Sequence, residues 1–469
     1  MIRLRYIRRL AVICAIVAAL LATHSGRAAP AVEINDRVTF KVSIGSVKGA
    51  TDELIATAWA PKTSQAELYM QFPEDGAGYV RVDWEFDSPG YEFVQYGADK
   101  RELSSRTEAD SYAGITQLFS IVEGARYAKL RLTKPGQKVC RVSVYSRGEL
   151  PGDVPNYDPP CDKCDLMVVS AHQDDEFLFF GGILPYYCGV RGKKVQVVYM
   201  ADCGRLRRGE ALDGLWVAGE RNYPDFINLK DRRAETIRDG VELWGGKDAI
   251  LSEIVWRIRR FRPEVILTHD LDGENGHNQH KITANAMKLA IEAAADPARF
   301  SDSYARYGTW QVKKLYLHLY SGDVVDFDWN VRYAELGGGT PLERARAGYV
   351  KYVSQKGSGQ VEDGGQYDNS LFGLAFSTVG EDVRHDDLFE NIDVKPSAEP
   401  TEKVTPEPAL LFSPEPTAVG TPVPPVNGKI GASAGRVGLL LGGGIALLIL
   451  LSCVQIAAYV RRRERRKGS

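Results

Sequence analysis

Short apolar strand patterns that alternate with helical periodicities constrain this chain more than any other feature. Residues 165–171 (DLMVVSA), 195–200 (VQVVYM) and 264–269 (EVILTH) read as strands buried on both faces. Residues 232–244 (RRAETIRDGVELW), 248–261 (DAILSEIVWRIRRF) and 281–295 (KITANAMKLAIEAAA) carry helical patterns. This order predicts an α/β unit over 160–394, a mostly parallel sheet with helices on both faces.

The preceding stretch, 31–150, reads as all-β. Strand-like runs start at Arg37, Ala66, Tyr79, Tyr91, Ala128 and Cys140, punctuated by Gly, Pro and Asp. They predict a β-sandwich-like domain. In 79–87 (YVRVDWEFD), Val80, Val82, Trp84 and Phe86 share one face, and Arg81, Asp83, Glu85 and Asp87 the other. That alternation predicts a half-buried strand. No catalytic cluster falls in this domain; a structural role and a glycan-binding accessory role both fit it.

The ends serve a different purpose. Residues 1–28 hold a basic start, an apolar run over 10–22 and small residues after it, the pattern of a secretory signal peptide. Residues 437–460 carry no charge and are long enough to span a bilayer. The tail 461–469 (RRRERRKGS) is then expected in the cytoplasm. Residues 395–434 contain nine of the 23 prolines and read as an extended linker. The expected protein is single-pass, with its domains outside the cytoplasm. The lack of an Asn-x-Ser/Thr sequon fits a bacterial source.

Charge follows the same division. The formal net charge is −2, but residues 1–27 and 461–469 carry +5 each, which leaves −12 on residues 28–460. An acidic body argues against a nucleic-acid partner.

The chemistry lies in two loops, each just past a predicted strand, the edge where open α/β sheets bind ligands. One is His172-Gln173-Asp174-Asp175-Glu176; the other runs from Asp270 to His280 (DLDGENGHNQH). Four of the seven histidines, His172, His269, His277 and His280, lie in or beside them. Imidazoles with carboxylates are a zinc-type ligand set. His172 with Asp175, and His277 with His280, stand three residues apart and can point the same way on entering a helix. Asp174 then points elsewhere.

With these motifs, the chain resembles the PIG-L (LmbE-like) family of zinc-dependent de-N-acetylases. SAHQDDE followed by FFGG, then GENGHNQH, carries the resemblance, with DRRAETIRDGVELWG in support. It covers about residues 163–295 well and continues more loosely to 392. It implies a Rossmann-like fold and a Zn²⁺ site, with another divalent ion as the alternative. By residue match, His172, Asp175 and His280 would hold the metal. Asp174 would be the general base, His277 would stabilise the oxyanion or protonate the leaving amine, and Arg232 would hold substrate. Three positions depart from the family pattern. Gln173 replaces a proline, which should alter loop rigidity more than chemistry. Gln279 replaces a frequent acid, so an orienting partner is expected to be missing or supplied elsewhere. Asn275 stands where some members carry a tyrosine.

The expected function is membrane-anchored removal of N-acetyl groups from N-acetylglucosamine-type sugars in a glycan or glycoconjugate. The alternatives are a metal amidase on a non-sugar N-acyl substrate and a surface glycan-binding protein with an inactive domain. Other residues carry weaker expectations. Glu176 is read as either supporting the site or pairing with an arginine, His269 as either lining the site or a satisfied strand-end residue, and His318 as a packed strand residue. Trp216, Tyr223 and Trp310 are expected to pack rather than stack on sugar. Cys161 and Cys164 have CxxC spacing, and a structural disulfide is expected there. Cys203 lies near the presumed site without a base partner.

Overall fold

The computed structural model describes residues 29–392, except 53–56, 88 and 108–113. The expected signal segment, linker, membrane run and tail lie outside the described residues. Among the described residues no helix is long and apolar enough to cross a membrane.

Among the described residues, eight strands form the N-terminal sandwich: β1 (Thr39–Val42), β2 (Glu67–Gln71), β3 (Tyr79–Trp84), β4 (Tyr91–Tyr96), β5 (Glu102–Thr107), β6 (Thr116–Ser120), β7 (Tyr127–Leu132) and β8 (Val139–Tyr145). They make an antiparallel five-stranded sheet, β1-β2-β7-β4-β5, and a three-stranded sheet, β6-β3-β8. Inward side chains of both sheets, among them Leu68, Phe93, Leu130, Val80, Val82 and Val142, meet in one core. β5 and β6 carry few apolar residues and give no clear pattern in sequence.

The second unit is built on a seven-stranded mixed sheet: β9 (Leu166–Ser170), β10 (Val195–Asp202), β11 (Asp225–Lys230), β12 (Val265–Thr268), β13 (Lys314–His318), β14 (Val324–Asp326) and β15 (Leu371–Ser377). Its order is β11-β10-β9-β12-β13-β15-β14. The first five strands are parallel; β15 and β14 extend the sheet antiparallel. β9 shows why its sequence is apolar throughout. Leu166 and Val168 enter the core on one side of the sheet, while Met167 and Val169 enter the core on the other. Helices α1 (Asp175–Leu178), α2 (Arg205–Ala218), α3 (Ile237–Leu243), α4 (Lys247–Phe261), α5 (Asn278–Ala295) and α6 (Ser301–Tyr307) connect or cover the strands.

Two helix starts differ from the sequence pattern. The pattern from Arg232 becomes helical only at Ile237, where Thr236 and Asp239 form a reciprocal capping box. The helix expected from Lys281 begins earlier, at Asn278, so His277 stands at its N-cap position without a side-chain capping bond and His280 lies in its first turn. The chain order reverses at β9: β10 and β11 lie on one side and β12 and β13 on the other. The C-terminal ends of β9 and β12 thus flank the crevice that such a switch point opens.

The charged face of β3 is a correction. Arg81 and Asp83 are buried, while Phe86, read as core, is 57 % exposed beyond the strand end. The charged residues do not meet water because the α/β unit covers them. Asp83 receives Arg81 at 2.9 Å, Arg141 at 2.7 Å and Thr116 at 2.9 Å, and Arg81 also approaches Asp213 of α2 at 3.6 Å. Arg205 of α2 donates to the Trp84 carbonyl at 2.8 Å, and Arg208 to Asp87 at 2.7 Å. The sandwich therefore sits against the helix that follows β10.

Burial alone would raise the Asp83 pKa, but Arg81 and Arg141 hold it down to about 2. Asp83→Asn is expected to destabilise the protein by about 3–5 kcal/mol at pH 7, because it leaves the buried Arg81 and the half-buried Arg141 underpaired. A depressed carboxylate stabilises the fold above its unfolded value, near 3.9 by ordinary reckoning. That contribution is lost as the pH falls through the folded value. The gap between wild type and variant in urea unfolding should therefore shrink from pH 7 to pH 2. A gap that stays constant would count against this account.

Candidate metal centre

The two polar loops leave the C-terminal ends of β9 and β12 and meet. His172 Nδ1 lies 3.2 Å from Asp175 Oδ2 and 3.2 Å from His280 Nε2, and His280 Nε2 lies 3.3 Å from Asp175 Oδ2. All three residues are buried. Two overlapping trios of donors also converge, His172–His277–His280 and Asp175–His269–His280. The second is excluded by hydrogen bonding. His269 Nε2 accepts from the Ala171 N–H at 2.8 Å, so its lone pair is spent. In the first, the ring nitrogens lie within 4.8 Å of one another, and the His277 ring centroid stands 4.7 Å from that of His172 and 4.8 Å from that of His280, looser than the His172–Asp175–His280 set.

Partners fix the two tight imidazoles. His172 Nε2 donates to Gln279 Oε1 at 2.9 Å, and the Gln279 amide is oriented by its bond to the Lys230 carbonyl. His280 Nδ1 donates to Glu274 Oε2 at 2.7 Å. The remaining lone pairs, His172 Nδ1 and His280 Nε2, both face Asp175 Oδ2. Three buried electron pairs at this spacing repel unless a cation or shared protons lie among them. Protons show the same demand: burial would lower the His280 pKa, but Asp175 and Glu274 raise it to about 10. Zinc–nitrogen bonds of 2.0–2.1 Å give a tetrahedral edge of about 3.3 Å, which matches the observed separations. The residues present fit a divalent ion of this kind.

Gln279 thus corrects one expectation. It does not leave His172 without an orienting partner; its amide is that partner. Glu274 adds a second, which sequence reasoning passed over. Its carboxylate is fully buried and accepts from three imidazoles: His269 Nδ1 at 2.8 Å, His280 Nδ1 at 2.7 Å and His318 Nδ1 at 2.6 Å. Gln279→Leu is expected to weaken metal binding by about tenfold or more, and Gln279→Glu to preserve it. Competition with a chromophoric chelator measures both; equal affinity for Leu and Gln would refute the orienting role.

Asp174 stands at the N-cap of α1 with φ 129°, a left-handed conformation that costs energy in any residue but glycine. Glu176 stabilises that turn by accepting the Asp174 N–H at 2.9 Å, and it also accepts from the Tyr352 hydroxyl. Among the described residues it makes no arginine pair. Burial and the charge of Asp175 push the Asp174 pKa up to about 8, against Arg207. Arg207, on α2, approaches Asp174 Oδ2 at 3.6 Å and had no signal in either motif. His277 lies beside the two imidazoles with its Nδ1 buried and unpartnered among the described residues. Burial, with His172 and His280, lowers its pKa to about 4.

Other residues fall into place. Gln173 pins the loop to the neighbouring strand end, donating to the Ala201 carbonyl at 2.8 Å and accepting from the Cys203 N–H at 3.2 Å. Arg232 is exposed in the loop after β11; its neighbour Asp231 comes within 3.9 Å of His172. Asn275 is exposed, with φ 55°. His318 ends β13 and touches Glu274 and the Asp368 carbonyl, away from the tight trio. Trp216, Tyr223 and Trp310 are each engaged in packing hydrogen bonds. The expected disulfide is absent: Cys161 and Cys164 are both free, and Cys161 Sγ turns toward the Val195 carbonyl. Burial raises the Cys203 thiol far from a reactive thiolate.

The family model described as PIG-L, GlcNAc-PI de-N-acetylase, matches residues 167–291. A 1D-myo-inositol 2-acetamido-2-deoxy-alpha-D-glucopyranoside deacetylase of Rhodococcus opacus is 30% identical over 182 residues, 32% of this chain and 60% of that protein. A mycothiol S-conjugate amidase of Streptomyces coelicolor is 40% identical over 184 residues, 33% of this chain and 60% of that protein. The chain thus spans about 60% of the length of these relatives. Among solved structures, an N,N'-diacetylchitobiose deacetylase from Pyrococcus horikoshii aligns at 16% identity over 40% of this chain and 70% of that one, with TM-score 0.32. The matched segment runs from the second residue of β9 into α5 and contains both loops, so residues 167–291 of this chain form a PIG-L family domain.

Proposed function

We infer that the protein is a divalent-metal hydrolase that removes the acetyl group from an N-acetylglucosamine-type sugar. The observation that carries this reading is the trio of His172 Nδ1, Asp175 Oδ2 and His280 Nε2 at 3.2–3.3 Å, with a carboxylate, Asp174, in the next position along the chain. The names of the relatives, acetamido-sugar deacetylase and amidase, support the amide as the bond cleaved.

In this reading His172, Asp175 and His280 hold the ion. A metal ion in such a site polarises the amide carbonyl and acidifies a water. Asp174 accepts a proton from the attacking water as the new C–O bond forms. It then returns that proton to the nitrogen as the C–N bond breaks, giving acetate and a free amine. A neutral His277 donates an N–H to the developing oxyanion, which suits its lowered pKa better than proton delivery. Arg207 holds the Asp174 carboxylate in place, and Arg232, exposed at the same edge, contacts the substrate.

The location is part of the same proposal. The segment 1–28 would export the chain and 437–460 would anchor it, so that the domain works outside the cytoplasm on an envelope glycan. The test is direct. Zinc-loaded full-length protein should release free amine from N-acetylglucosamine glycosides. Absence of release from sugar and non-sugar N-acetyl substrates alike, with metal bound, would refute the activity. Release from non-sugar substrates alone would favour the amidase alternative. Protease accessibility of the folded domains in intact cells tests the location.

A further inference from the structure

A cleft lies at the opposite edge of the sheet. The C-terminal end of α4 feeds β12 from its N-terminal side, while the metal centre lies past its C-terminal end. Here α4 and α6 enclose an open cleft of about 620 Å³, lined by Asp162, Trp256, Arg260, Arg262, Arg306 and Tyr307. The two aromatic rings meet edge-to-face at 5.3 Å and 89°. The Arg306 guanidinium lies over both, 5.9 Å from the Trp256 ring and 5.5 Å from the Tyr307 ring.

The cleft holds more positive charge than its surroundings neutralise. Arg260 reaches Asp225 at 3.3 Å, but Arg257 already binds that carboxylate at 2.7 Å. Arg262 spends one N–H on the Tyr307 carbonyl at 3.1 Å. Among the described residues Arg306 makes no ion pair and no hydrogen bond. Asp162 is the sole acid in the lining. Cations do stabilise a helix C-terminus, and that accounts in part for Arg260 and Arg262 at the end of α4. The same holds for Arg306, in the last turn of α6; what the helix ends leave unexplained is that the guanidinium groups of two of them converge on one space beside two aromatic rings. Arg262 also occupies a left-handed cap, φ 48° and ψ 52°, a position where glycine is the unstrained choice. All this stands on a chain whose body carries −12.

We propose that this cleft binds a saccharide bearing an oxyanion, with Trp256 and Tyr307 against the ring and the forks of Arg262 and Arg306 on a carboxylate or phosphate. Planar guanidinium groups match such oxyanions in bidentate fashion, and aromatic walls suit a sugar ring better than a bare ion. The site would hold an acidic glycan away from the metal centre and does not depend on the hydrolase reading.

The experiment uses the full chain in detergent, titrated with three probes: a tetramer of galacturonic acid, inorganic phosphate and neutral maltotetraose. The galacturonate tetramer should bind saturably and more weakly as salt rises. Phosphate should bind at least tenfold more weakly, and maltotetraose not at all. Arg306→Ala and Arg262→Ala should each lower tetramer affinity at least tenfold, Arg306→Lys should recover part of it, and His280→Ala should leave it intact. No saturable binding of the tetramer, equal affinity for maltotetraose, or unchanged affinity in the alanine variants overturns the proposal. Equal affinity for phosphate alone overturns the saccharide. Should an alanine variant lose its folded melting transition, the Trp256 indole NMR signal of the wild-type protein decides, since it must shift on titration.

Discussion

Asp174→Asn is expected to lower kcat for acetyl release by about 10²–10⁴-fold, with metal content unchanged. The substitution keeps size and shape, so the turn with φ 129° and its Glu176 contact should survive. What it removes is the proton transfer assigned to Asp174 in the proposed reaction, from the attacking water to the leaving nitrogen. The trio His172, Asp175 and His280 does not include Asp174, so metal affinity should stay within a few-fold of wild type. The two readouts separate the roles. Loss of metal together with activity would make Asp174 a ligand, and full activity with bound metal would remove it from the mechanism. Arg207→Ala should reduce kcat less, and Arg207→Lys should recover part of the loss, because its guanidinium lies 3.6 Å from the carboxylate rather than on the metal trio.

What the sequence made legible follows from which contacts are local. β9, β10 and β12 are buried on both faces, and a strand with no polar alternation announces that in its own residues. The i, i+3 spacings of His172 with Asp175, and of His277 with His280, are equally local, and the structure brings three of these four side chains into one tight face. Gln279, by contrast, predicts from sequence an orienting partner that is missing or supplied elsewhere. Its amide finds His172 across 107 positions of sequence, and only the pairing of the two loops makes that bond. Arg207 and the buried charges of β3 were illegible for the same reason. Arg81 and Asp83 look like a solvent face until the α/β unit covers them. The pattern of β3 shows only that two faces differ, and not what lies against each. The CxxC pair shows the opposite error, where a local spacing suggested a bond that burial of two separate thiols replaces.

Glu274 is the residue whose loss should cost the metal site most outside the ligands themselves. Its carboxylate meets no water, and it accepts from His280, which faces Asp175, and from His269 and His318, which end β12 and β13 or follow them. These imidazoles would raise the cost of burying a charge if they did not donate to it. Their bonds and charges instead hold its pKa well below the usual carboxylate range, although burial opposes that. Glu274→Gln turns one acceptor into an NH₂ donor that faces an imidazole N–H, so at least one histidine must turn or change tautomer. Two effects should follow: metal affinity lower by about 10–100-fold, and a loss of about 3–5 kcal/mol in unfolding free energy. His318→Ala is the discriminating companion. It removes one donor and leaves the acceptor for His280, so stability should fall while metal affinity holds. If Glu274→Gln binds zinc as tightly as wild type in chelator competition, His280 is oriented by something else, and the carboxylate serves the fold alone.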